Sequence, residues 1–143
     1  MTKSVKITLG LISFFIIASL LLTLTEPFKT NFITQIVQSE LPFPVLSYLS
    51  GKIGGAITGL IFLSLVFLHE EMKPRELDIM FYLGSSLLLI MLTVSTYVHL
   101  HPNVPAEILP FQTKPPFLSV FMLVLLSLAV FFKIKNPSEA SQA

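Results

Sequence analysis

Four polar side chains are placed where this chain could do chemistry: Lys52, His99, His101 and Glu107. The two imidazoles flank Leu100, and Pro102 follows directly, so the spacing predicts extended backbone there. In extended chain, residues two apart point the same way, and both rings could then meet one ion or polar ligand. Glu107 would add a carboxylate and Lys52 a cation. As a metal site this set is incomplete, because no third fixed ligand and no residue orienting the rings can be named, and no metal is expected. The plainer reading leaves the histidines in the headgroup region, bonded to backbone carbonyls, with Lys52 as an anchor whose stem lies in lipid. A second polar group, His69-Glu70-Glu71, falls at the opposite end of a predicted helix. About a membrane thickness separates it from the first set. The chain has no nucleotide-binding loop, no nucleophile elbow and no HExxH zinc motif. With no cysteine, disulfides, thiol redox chemistry and thiolate metal sites are excluded. The net charge of +1 offers no footprint for nucleic acid.

The elements that must position these residues are membrane helices. Of 143 residues, 53% are hydrophobic and 12% charged, about half the charge of an ordinary soluble domain at ~25%. The mean hydropathy is +0.82. The pattern predicts an all-α fold: a four-helix transmembrane bundle in a single domain, 1–135, with spans near 5–24, 45–68, 77–98 and 117–132. A mobile polar tail is expected over 136–143. The first run is longer than the ~7–15 residues of a signal core and lacks a small-residue cleavage site, so it reads as a retained helix. At ~1.5 Å per residue it is about 30 Å long, enough to cross the hydrocarbon.

The second span organises the others. Gly51, Gly55 and Gly59 are four apart, with Gly54 and Ala56 beside them. On a helix they make one bare stripe against which another helix can lie closely. Pro44 suits the first turn of this helix. Lys52 then lies about two turns inside it and must either snorkel or face a polar cavity. Gly84, Ser85 and Ser86 offer similar close packing on the third span.

Between the first two spans, Phe28, Phe32, Ile33, Ile36 and Val37 recur at helical spacing opposite Lys29, Asn31, Thr34, Gln35 and Gln38. This predicts a short amphipathic helix, capped by Thr30 or Asn31. It would lie flat at the interface or pack on its own bundle. The segment HLHPNVPAEILPFQTKPP, with five prolines, is predicted to be an ordered, extended loop. Basic residues set the orientation. Lys3, Lys6, Lys73, Arg75, Lys133 and Lys135 lie on one side, and Lys29, Lys52 and Lys114 on the other. The excess places both termini in the cytoplasm. No ionisable side chain falls at mid-membrane, which argues against a proton relay or charged ion path.

The order of a spanning helix, then Phe28-Lys29 opening an amphipathic stretch, then GKIGGAITGLIFLSLVF, resembles the DoxX-like family of small four-helix membrane proteins. The third span, ending in Tyr97-Val98-His99-Leu100, is similar to that family too, and the likeness covers roughly 5–132. The family pattern often carries a glutamate within the second span, where this chain has Ile57-Thr58-Gly59-Leu60. The resemblance implies an accessory or scaffold subunit of the bacterial inner membrane, associated with quinone or lipid at its outward end. Its partners would be the bilayer and a second copy or a larger membrane complex. The competing readings are a membrane oxidoreductase or isomerase acting on a hydrophobic substrate with His99 or His101 as acid–base group, and a small transporter.

Overall fold

A computed structural model describes residues 1–135; the tail expected over 136–143 lies outside them. The described chain is all-helical. It runs α1 (Lys3–Leu22), α2 (Phe28–Gln38), α3 (Pro44–Phe67), α4 (Pro74–Leu100), two single turns at Ala106–Ile108 and Pro110–Gln112, and α5 (Phe117–Lys135). Four of these, α1, α3, α4 and α5, are long and apolar enough to cross a membrane. They form a ring in the order α1, α3, α4, α5. The α1–α3 contact is the most extensive and α4–α5 the sparsest of the four. The two ends are called here the termini end and the cap end.

The core is filled from all four helices by Leu9, Ile12, Phe62, Leu65, Phe81, Leu88, Leu126 and Ala129. The outside is equally apolar. Phe14 is 65% exposed and Ile90 62%, and a surface of this kind belongs in lipid. Among lipid tails, apolar burial does not drive helices together, so close packing must. It is supplied at the glycines of α3. A Cβ at Gly55 would lie 3.1 Å from Leu20, and one at Gly59 3.4 Å from Ile16 and Ile17, all on α1. Between them, the Ser13 hydroxyl donates to the Gly59 carbonyl at 3.4 Å. The tightest approach is on α4, where a Cβ at Gly84 would sit 2.8 Å from Phe62 and 2.9 Å from Ile61.

Several boundaries differ from expectation. α1 covers 3–22, ending two residues earlier than the 24 predicted. α4 begins at Pro74, three residues before Leu77, because its charged start is a helix signal. Proline occupies the first turn, and the Glu76 carboxylate accepts the Lys73 backbone N–H at 2.9 Å. Neither Thr30 nor Asn31 caps α2. The helix starts at Phe28 behind Pro27, and Glu26 receives the Thr30 hydroxyl at 2.7 Å and its N–H at 3.3 Å. That hydroxyl bond, then the N–H and the charge of Lys29, hold the Glu26 carboxyl below its usual range despite desolvation.

At about 1.5 Å per residue, α1 and α5 are close to 30 Å long, while α3 and α4 approach 36 and 40 Å. The excess of α3 lies at the cap end. Lys52 is level with the end of α1, leaving its first two turns to project beyond. Against this projection the chain builds the rest of the fold.

Candidate functional site

The cap is made of α2, the tops of α3 and α4, and the 101–116 segment. α2 is held against α3 by Phe32, whose ring lies 5.6 Å from that of Tyr48 and in contact range of the bare Gly51. Ile36 is buried with it. The rest of the predicted apolar stripe, Phe28, Ile33 and Val37, stays exposed. Gln35, expected on the polar side, is instead buried, and its amide donates to the Ile108 carbonyl. The helix is thus rotated to satisfy a loop carbonyl as well as to bury carbon.

The 101–116 segment has a small core of its own, in which Val98, Val104 and Leu109 are buried against Leu41 and Ile108. Side chains tie it down. The Tyr97 hydroxyl donates to the Ser39 carbonyl at 3.2 Å, closing α4 onto the end of α2. The Asn103 amide donates to the Glu40 carboxylate at 2.7 Å. Lys114 donates to the carbonyls of both His101 and Val104. An ammonium has three donors and needs several acceptors when part-buried, so this lysine acts as the staple of the loop. Glu40, Phe43, Phe111 and Gln112 all have φ between 52° and 60°. Such left-handed backbone is rare for bulky residues and persists only where surrounding packing enforces it.

The sequence-derived site residues are distributed through this cap. Lys52 neither snorkels freely nor faces a cavity shared with histidine. Its ammonium donates to the Thr23 carbonyl at 3.2 Å and lies 4.9 Å over the Tyr48 ring. Thr23 ends α1, so a cation meets the unpaired carbonyls and negative dipole end of that helix. His99 does not lie in extended chain. α4 continues through Leu100, and only His101 is extended, at φ −63° and ψ 131°. The reason is local: proline excludes helical geometry at the residue immediately before it, and no further back. Residues two apart on a helix point to nearly opposite sides, so the shared-face argument does not hold at this position.

His99 is 6% exposed, and its Nδ1 is 2.9 Å from the Ser95 carbonyl. A carbonyl only accepts, so Nδ1 carries the proton. The His101 ring lies 5.5 Å from that of Tyr97, and its Nδ1 accepts the Asn103 N–H at 3.4 Å. Glu107 is exposed in the first single turn. Among the described residues no hydrogen bond or ion pair joins any two of Lys52, His99, His101 and Glu107, and no three His, Cys, Asp or Glu side chains converge on one point. At the termini end, His69 bonds the Val66 carbonyl and faces Glu70 at 3.6 Å.

Two cap atoms escape pairing: Gln38 Oε1 and Thr113 Oγ1 are buried without a hydrogen-bond partner. Sequence reasoning passed over both, along with Tyr97, Asn103 and Lys114 as ties. Their only sequence signal was polarity, with Asn103 and Lys114 beside a proline, which is common in any loop.

The fold and this cap define a class: an integral membrane protein with a four-helix spanning bundle and a structured lid at one end. No protein-family model, curated protein or solved structure matches the chain.

Proposed function

We propose that this protein is a DoxX-like accessory or scaffold subunit of the bacterial inner membrane. It holds the polar head of a lipid or quinone at its outward end and packs there with a second copy or a larger complex. Both termini face the cytoplasm, as the basic residues require, and the cap faces outward. The observation that carries this reading is the lid itself. Tyr97, Lys114 and Gln35 spend their polar atoms fixing backbone, and Asn103 ties the loop to the Glu40 carboxylate, rather than forming an acid–base array. Loops held on a rigid scaffold are a common place for binding residues. The unpaired Gln38 carbonyl and Thr113 hydroxyl support a polar guest, because buried polar atoms normally find a partner. Lys52, His101 and Glu107 lie on the same end and supply charge and hydrogen bonds at its edge.

The test has two arms. Asn103→Cys and Ser138→Cys in this cysteine-free chain should label oppositely with an impermeant thiol reagent on intact cells, 103 reacting and 138 protected. The reverse pattern overturns the orientation. Lipids and quinones co-purifying with the full chain should be identified by mass spectrometry. One species should fall several-fold in Thr113→Val and Gln38→Leu, with unchanged helical content. Identical recovery from wild type and both variants would remove the cap as a binding site.

A further inference from the structure

α3 leaves the bundle before it runs out of apolar surface. Lys52 is level with the end of α1, where its ammonium bonds the Thr23 carbonyl. Residues 44–51 lie beyond that point, about 12 Å of helix. A segment standing clear of the hydrocarbon would be expected to turn polar, and this one does not. Residues 41–51 carry no charged side chain. Phe43 is 76% exposed, Val45 74%, Leu46 60% and Leu49 45%. Together with Pro44 these four line an open groove of about 370 Å³, apolar throughout.

The groove is not an isolated patch. Leu46, Leu49, Ile53, Ile57 and Leu60 recur three and four apart, which puts them on one side of the helix, and all are exposed. The stripe therefore runs unbroken from the groove through the middle of the span. The other sides of α3 are occupied. Tyr48 and Gly51 meet Phe32 of α2, and Gly55 and Gly59 meet α1. The polar groups at this helix start are closed on themselves. Pro44 has no N–H to leave orphaned. The Ser47 N–H donates to the Phe43 carbonyl at 2.9 Å, and its hydroxyl donates to the Pro42 carbonyl at 2.8 Å. Local pairing of this kind is what a backbone needs in a medium without water.

We propose that this groove is occupied by acyl chains of the leaflet at the cap end, so that on the α3 side the hydrocarbon follows the protein past the end of α1. A span longer than the local hydrocarbon is met by tilt or by local thickening of the bilayer, and either brings lipid tails to this face. Charge selects tails over heads. The cation next to the groove in sequence, Lys52, is committed to the Thr23 carbonyl and the Tyr48 ring, so an anionic head has nothing to meet. A protein interface carries a polar rim; this groove has none on the side where its stripe continues into the span. The contact requires neither a polar guest in the cap nor a particular orientation of the chain, and it stands or falls separately from the function proposed above.

The chain has no tryptophan, so Phe43→Trp, Leu49→Trp and Leu60→Trp each carry a single one. Each full-length variant is reconstituted in phosphatidylcholine vesicles containing lipid brominated at a shallow or a deep acyl position, with iodide as the aqueous quencher on both sides. Leu60→Trp, farther along the same stripe, serves as the depth reference. The Phe43→Trp and Leu49→Trp proteins should emit to the blue of N-acetyltryptophanamide in water, lose most of their emission to the shallow bromine and resist iodide. Leu49 lies in regular helix and gives the reading independently should Phe43→Trp disturb the left-handed turn at φ 52°. Emission at the aqueous position, quenched by iodide and untouched by brominated lipid, would place the groove in water and overturn the proposal. Protection from both quenchers that grows with the protein-to-lipid ratio would overturn it too, by putting a second copy in the groove.

Discussion

Gly84 and Ser85 are adjacent on α4, and this helix is joined to its two neighbours by opposite means. Gly84 turns to α3, where Phe62 and Ile61 come so close that not even a methyl fits. Ser85 is buried with an unpaired hydroxyl, on a helix that two polar contacts, Asp78–Lys133 and Ser95–Ser119, join to α5. One contact is made of shape, the other of discrete polar bonds. The difference teaches how a bundle in lipid can be rigid on one side and open on another. Dispersion over a glycine surface is continuous and cannot part locally. A seam clipped at intervals can lose one clip and keep its helices.

The largest effect should come from filling the tight contact. Gly84→Leu should cost more than the ~1–3 kcal/mol typical of overpacking, since its first carbon already collides with Phe62. Gly84→Ala should fall within that range. Thermal unfolding in detergent measures both, and a Gly84→Ala protein as stable as wild type would erase the contrast.

Next is the termini-end clip. Lys133 is 11% exposed and Asp78 30%, between the surface pair worth ~0.2–1 kcal/mol and the buried pair whose breaking costs ~3–5. Asp78→Asn should therefore destabilise by about 1–3 kcal/mol, and increase access of a thiol reagent to a cysteine placed at Ala129 on α5. Loss of stability without increased access would mean that the ion pair braces the bundle without closing a seam.

The smallest effect sharpens the comparison most. Ser85→Ala in lipid-free detergent should leave stability unchanged or raise it by up to about 1 kcal/mol, because an unpaired buried hydroxyl is removed. A clear destabilisation in the same unfolding assay would show that Ser85 has a structural partner.

Much of this molecule could be read directly from residue order. The four spans follow from runs of apolar residues long enough to cross hydrocarbon. α2 followed from its period, and the start of α3 from Pro44. These are local properties, decided by neighbours within a few turns. Errors at helix ends had local causes too: at α4 the charges of Pro74–Asp78 outweighed their capping signal, and at His99 the reach of Pro102 was overestimated. The cap was another matter. That Gln35 would be buried, that Lys52 would cap α1 and not meet His99, and that Lys114 would staple two carbonyls depend on residues 10 to 73 positions apart.

The sequence by itself determined that the chain has four helices long and apolar enough to cross a membrane, because hydrophobic length is a sum over consecutive residues and needs no partner. Only the tertiary structure decided which helices pack tightly and which polar atoms are spent on the fold. Both depend on helix rotation and depth, which are set when α1, α3, α4 and α5 meet, and on whether a buried polar atom finds its partner there. Ser13 found one in the Gly59 carbonyl; Ser85, on a similar apolar helix, did not.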